Sequence, residues 1–182
     1  MPPRDDIVLW LDLECTGSGD DALVLEVGMA ITGPGPQFEV LDTFSAIIDP
    51  GHIPVMAPIV QKMHEDNGLL ADIPVIGVPP AIAEARMIEW IERTFGISKT
   101  HVVLAGSGVG HYDRKYIRRD WPWLDRRLAY YVYDVGVLRR FLRMAGKAMV
   151  GTGKDKSLLT HRALGDVMDH ISEARALLEM IK

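Results

Sequence analysis

The sequence predicts one α/β domain spanning residues 1–182. Three observations carry this. Apolar runs separated by turn residues open the chain. Helical periodicity marks residues 80–95 and the closing stretch 161–181. The length of 182 residues suits a single sizeable core.

Residues 7–13, 22–32 and 37–48 are rich in Val, Ile, Leu and Phe and read as a three-stranded meander. Gly17-Ser18-Gly19-Asp20-Asp21 and Gly33-Pro34-Gly35-Pro36 supply the turns. Prolines at 50, 54 and 58 keep the next stretch extended until a short helix near 57–66, which Asn67-Gly68 ends. Ile82, Ala85, Ile88, Ile91 and Phe95 recur at helical spacing, and Gly96 closes that helix. His101 to Ala105 is a short apolar strand, 112–120 a helix stopped by Trp121-Pro122, and Ala129 to Val135 a Tyr- and Val-rich strand. A helix over about 136–145 precedes a Gly- and Lys-rich stretch, 146–156, that reads as a mobile basic loop. The last helix carries an apolar stripe of Leu164, Val167, Met168, Ile171, Leu178 and Ile181.

The net charge of −5 argues against a non-specific grip on long duplex nucleic acid, which requires many phosphate contacts. Short or single-stranded substrates held by a local basic patch remain compatible with it. A single cysteine, Cys15, excludes an intrachain disulfide and a Cys-rich zinc site. The polar start, Met1-Pro2-Pro3-Arg4-Asp5-Asp6, has no signal-peptide apolar region, and no apolar run is long enough to span a bilayer. A soluble protein of the cytoplasm, with no membrane partner, is expected.

The first strand contains the chemistry. Alternation places Ile7, Leu9, Leu11 and Leu13 on one face and Val8, Trp10, Asp12 and Glu14 on the other. Two carboxylates on an otherwise apolar face repel each other and lose hydration, so a cation is needed. No basic residue lies in the strand, and a divalent metal such as Mg²⁺ or Mn²⁺ is the simplest candidate. An exposed edge strand with an acidic outer face is the bland alternative, and Trp10 and Val8 count against it.

A second pair is His161 and Asp166. Their spacing separates the side chains by ~140° on one helix, so His161 belongs at or before the helix start. Taken alone, this pair also fits a helix-start histidine beside a solvated aspartate. Asp113 follows the Gly106-to-Tyr112 turn, where an N-cap role competes with a chemical one. Arg114, Lys115, Arg118, Arg119, Arg126 and Arg127 concentrate positive charge, mostly as solvated faces, with some able to hold phosphate. Tyr130, Tyr131 and Tyr133 could stack on bases, although core packing or an interface suits at least two of them better. Gly106, Gly108 and Gly110 fail the dinucleotide-binding spacing, and Gly151-Thr152-Gly153-Lys154-Asp155 fails the P-loop pattern.

Asp12-x-Glu14, Asp113 and His161-x4-Asp166 together resemble the DEDDh 3′–5′ exonucleases, most closely the oligoribonucleases. Trp10-Leu-Asp-Leu-Glu-Cys-Thr-Gly17, the segment Met63 to Leu69, Tyr133-Asp134-Val135 and the closing helix extend the resemblance over nearly the whole chain. It implies an RNase H-like mixed sheet flanked by helices, two Mg²⁺ or Mn²⁺ ions per active site, and release of nucleoside monophosphates from the 3′ end of short single-stranded RNA. By that resemblance Asp12, Glu14, Asp113 and Asp166 are the metal ligands and His161 the general base. His64 and Tyr130 match substrate-side residues, and a homodimer is expected.

The sequence also departs from the family. Ser18 replaces a leucine that wedges between bases, and Tyr131 and Gly136 occupy the positions of an Arg and a Ser that cap the substrate's 5′ phosphate. The Gly106–Asp113 turn lacks the family's usual Asn. Selection for very short RNA is therefore weakened, and longer RNA or single-stranded DNA becomes possible. A silent nucleic-acid-binding module is the alternative from another class, and retention of all five catalytic residue types argues against it.

Overall fold

The computed structural model describes residues 7–95, 102–147 and 161–181. The predicted basic loop lies outside these residues apart from Gly146 and Lys147. A five-stranded sheet is built from β1 (Val8–Cys15), β2 (Val24–Thr32), β3 (Val40–Ile47), β4 (Val102–Gly106) and β5 (Leu128–Asp134). Its order is β3-β2-β1-β4-β5. The expected meander β1-β2-β3 is antiparallel, while β4 and β5 add in parallel.

Seven helices accompany the sheet among the described residues: α1 (Pro58–Asp66), α2 (Leu69–Ile76), α3 (Pro80–Phe95), α4 (Asp113–Asp120), α5 (Pro122–Asp125), α6 (Val135–Met144) and α7 (Ala163–Glu179). None is long and apolar enough to cross a membrane. The alternation read in β1 decides the layering. Leu9 and Leu11 join one core with Met87, Trp90, Tyr116 and Leu124 from α3, α4 and α5. Val8 and Trp10 join the opposite core with Val135 and Leu142 of α6 and Val167, Ile171 and Leu177 of α7. A third, smaller cluster of Leu25, Met56, Leu69 and Ile73 seats α1 and α2.

Two stripes differ in phase from expectation. On α3 the buried residues are Ala83, Met87, Trp90 and Ile91, while Ile82 is exposed. The large Met87 and Trp90 side chains win the core, turning Ile82 outward. On α7, Val167 and Ile171 are buried as expected, but Met168 is exposed, as is Ile181 beyond the helix end. The helix is rotated toward Ala163, Glu173, Ala174 and Leu177. Helix α2 follows where the sequence indicated only the end of α1, and Pro74 lies inside it. Its left-handed start at Gly68 (φ 79°) turns the chain directly from α1 into α2.

Candidate active site

Asp12 and Glu14 project from β1 on the α7 side of the sheet. Opposite them on β2 stand Gly28 and Glu26 respectively. Gly28 permits the close approach that completes the site. A Cβ there would lie 2.3 Å from both the Ala163 carbonyl carbon and the Leu164 nitrogen. With no side chain in the way, the start of α7 crosses β2 and brings Asp166 to the two strand acids. Asp12, Glu14 and Asp166 place ligand-capable oxygens within 4.8 Å of one another.

Asp113 is the first residue of α4, but Tyr112 takes the N-cap position. The Asp113 side chain instead accepts the Leu13 backbone N–H at 3.2 Å, tying α4 to β1 beside the acids. It lies outside the 4.8 Å group, yet its charge acts on both strand acids.

The acids strain one another electrostatically. Burial, then the charges of Asp113, Glu14, Asp166 and Glu26, hold Asp12 well above the ordinary carboxylate range. Burial followed by Asp166, Glu26 and Asp113 lifts Glu14 to about 8, with Arg162 pulling it back. Burial raises Asp113 to about 7. Hard oxygen donors gathered this closely fit divalent cations of the Mg²⁺ or Mn²⁺ type, whose charge would stabilise the ionised carboxylates.

His161 precedes α7, as its spacing from Asp166 requires. Its Nδ1 lies 4.0 Å from Asp166 Oδ2, with nearly half of the side chain exposed. Its backbone is left-handed (φ 42°), an uncommon conformation for a non-glycine residue. His64 on α1 is fully buried. Its Nε2 faces the Cys15 carbonyl at 2.9 Å and so carries the proton, while Nδ1 lies 3.9 Å from Glu14 Oε2 with no hydrogen-bond partner. The structure therefore brings His64 beside Glu14, where the wholly buried ring presents no surface to a substrate, unlike the substrate-side histidine expected from the resemblance.

Tyr130 is not brought there. It sits on the edge strand β5, separated from β1 by β4, and is almost wholly exposed. Tyr131 and Tyr133 are exposed beside it, so none of the three tyrosines is a core residue. Ser18 lines a cleft of about 310 Å³ together with Glu14, Val60, Met63, Tyr112 and Asp113. The basic residues of α4 hold the protein itself. Tyr116, Lys115 and Arg119 donate to the carbonyls of Gly17, Ser18, Gly19 and Asp20, and Arg114 is buried against Asp125 at 2.9 Å.

Three site residues had not been singled out. Arg162 donates from Nε and Nη2 to the buried Glu26 at 3.0–3.1 Å and from Nη1 to Asp72 at 2.9 Å. Glu26 also accepts the Ala163 N–H at 3.1 Å. Asn67 donates through Nδ2 to the His161 carbonyl. Glu26 had the same signal as Asp12, a carboxylate inside an apolar strand, whereas Asn67 read only as a helix stop.

This fold is that of solved exonuclease domains. The nuclease domain of 3′hExo, described as a DEDDh family member bound to rAMP, superposes with a TM-score of 0.59 at 14% identity, covering 100% of this chain and 94% of that one. Exonuclease I of Methylocaldum szegediense gives a TM-score of 0.69 at 17% identity over 96% of this chain, which spans only 40% of that chain. No family model matches the sequence. Oligoribonuclease of Nocardia farcinica is 31% identical over 171 residues, covering 93% of this chain and 78% of the relative. That of Mycobacterium avium is 33% identical over 172 residues, with the same coverage of both chains. The chain belongs to the oligoribonuclease family, and is thereby a nuclease.

Proposed function

We propose that the chain is a Mg²⁺- or Mn²⁺-dependent 3′–5′ exonuclease that releases nucleoside 5′-monophosphates from short single-stranded RNA in the cytoplasm. The observation that carries this reading is the convergence of Asp12, Glu14 and Asp166 within 4.8 Å, with Asp113 anchored alongside. These four acids are the proposed ligands. Two divalent ions, when bound, neutralise the attacking and leaving oxygens of an in-line displacement. His161 is the proposed general base. Its partly exposed ring stands at the rim of the acids, where it can take a proton from the attacking water. The water oxygen forms a bond to phosphorus, the bond to the preceding 3′ oxygen breaks, and that oxygen gains a proton from solvent.

His64 supports the site from within by fixing the Cys15 carbonyl, and through that the strand end that carries Glu14. Tyr130 is proposed to stack on a base in the cleft of a second copy. The expected homodimer has a suitable surface, because β5 is the outermost strand among the described residues and Val137, Phe141 and Met144 are exposed on α6, which follows it. A broader RNA and DNA exonuclease is the second reading, favoured by the small Ser18 side chain in the cleft wall.

Hydrolysis of 5′-labelled RNA and DNA oligomers of graded length with Mn²⁺, and with EDTA as control, tests these readings. Metal-dependent shortening of RNA from the 3′ end is expected. Equal rates on matched DNA would favour the broader enzyme. Binding without cleavage by folded protein would favour a silent nucleic-acid-binding module. His161→Ala is expected to keep Mn²⁺ and substrate binding while losing ~10²–10⁴-fold in turnover.

A further inference from the structure

His161 sits in the left-handed region, and a non-glycine residue stays there only when its surroundings hold it. Those surroundings come from the junction of α1 and α2. Asn67 occupies that junction and is bonded through both ends of its amide. Its Oδ1 accepts the Leu69 N–H at 2.9 Å in a turn that leads into α2, and its Nδ2 donates to the His161 carbonyl. One residue further on, Arg162 is fixed by Glu26 from β2 and by Asp72 from α2. The His161 backbone is thus held at its carbonyl and at the residue that follows, and α2 supplies a partner to Arg162. The same helical pair, through His64, also grips the strand end that carries Glu14.

We propose that Asn67 is a positioning residue that holds His161 over the acidic group, so that the α1–α2 pair sets the general base relative to the acids. This rests on the reading of His161 as the base. Asn67 touches no reacting atom; it acts through the His161 carbonyl. Losing its donor frees the His161 peptide to relax toward an unstrained conformation and carries the imidazole away from the attacking water. A misplacement of about 1 Å can cost roughly 10²-fold in rate.

Steady-state kinetics on a short RNA oligomer with Mn²⁺ test this for Asn67→Asp and Asn67→Ala, each alone and combined with His161→Ala. Asn67→Asp keeps the oxygen that accepts from Leu69 but lacks the amide donor, so it remains informative if Asn67→Ala unfolds. The expected result is a fall in kcat of about 10-fold or more, with KM, Mn²⁺ affinity and melting temperature of the Asp variant unchanged. No further fall is expected in the His161→Ala background. Wild-type kcat in Asn67→Asp, while His161→Ala is impaired, would overturn the role of Asn67 and leave the base intact. A loss of equal size with and without His161 would overturn it too, because the effect would not run through the imidazole. Wild-type turnover by His161→Ala would instead remove the base itself, and the positioning role with it.

Discussion

Glu14 and Glu26 face each other across the β1–β2 ladder, yet among the described residues only Glu26 is held by direct hydrogen bonds from an arginine and a backbone N–H. Arg162 and the Ala163 N–H hold Glu26, whereas burial and neighbouring acids lift Glu14 to about 8. Like charges placed directly opposite on a sheet are destabilising. Pairing one of them internally turns it into a fastener for α7. The other is left available to a cation.

The metal-free protein should therefore be less stable in alkali. Folding raises Glu14 from 4.5 to about 8 and Asp113 from 3.8 to about 7. Across that window the folded state binds more protons than the unfolded state, so stability falls as pH rises. Bound metal displaces those protons, so the Mn²⁺-induced rise in Tm should be larger at about pH 8 than at about pH 5.5. Thermal scans with EDTA and with Mn²⁺ check this. An EDTA-treated Tm that does not fall between those pH values contradicts the assignment of buried, unpaired acids.

Asp12→Ala separates the two consequences of acid crowding. Removing a half-buried carboxylate that its neighbours oppose should raise the metal-free Tm. The same change should abolish the Mn²⁺-induced shift and the activity. Calorimetric titration giving normal Mn²⁺ affinity would take Asp12 out of the ligand set.

Most of this arrangement was legible in the sequence because β1 obeys strict alternation. Asp12 and Glu14 had to share a face with Trp10, and His161 had to precede the helix that carries Asp166. What the sequence did not disclose depends on contacts between distant segments. Glu26 is 136 residues from Arg162, and Asn67 is 94 residues from His161. Neither spacing leaves a local pattern. Helix α2 left no clear signal, since a proline such as Pro74 disfavours a helix interior, and the buried Leu69 and Ile73 supply the packing that overrides it.

Arg162→Ala should be strongly destabilising. It leaves Glu26, 4% exposed, with a buried charge and only the Ala163 N–H as a partner. Breaking one side of a buried pair typically costs 3–5 kcal/mol, so about 3 kcal/mol is expected for this partly exposed arginine. Urea unfolding measures it. A loss under about 1 kcal/mol would class the pair with surface ion pairs.

Phe141→Glu tests the proposed dimer surface. Phe141 is exposed on α6, the helix that follows β5, and β5 is the outermost strand among the described residues. A buried unpaired charge opposes association, so sedimentation should show dissociation of a wild-type dimer to monomers. Cleavage should weaken through loss of the partner's stacking contribution. A monomeric, fully active wild-type protein would make that surface irrelevant to catalysis.

Gly28→Ala should damage the site without altering any acid. The added Cβ would fall 2.3 Å from the Ala163 carbon and the Leu164 nitrogen, which are backbone atoms and cannot swing aside. The start of α7 must then retreat from β2. Overpacking of this kind costs about 1–3 kcal/mol. The retreat also draws Asp166 away from Asp12 and Glu14 and strains the Glu26 bond to the Ala163 N–H. Mn²⁺ affinity should therefore fall together with stability. Gly33→Ala is the matched control, because nothing lies within 4 Å of a Cβ at that position. Chemical unfolding and Mn²⁺ titration of both variants check the expectation. Wild-type Mn²⁺ affinity in Gly28→Ala would mean that the position of α7 does not govern the acidic group.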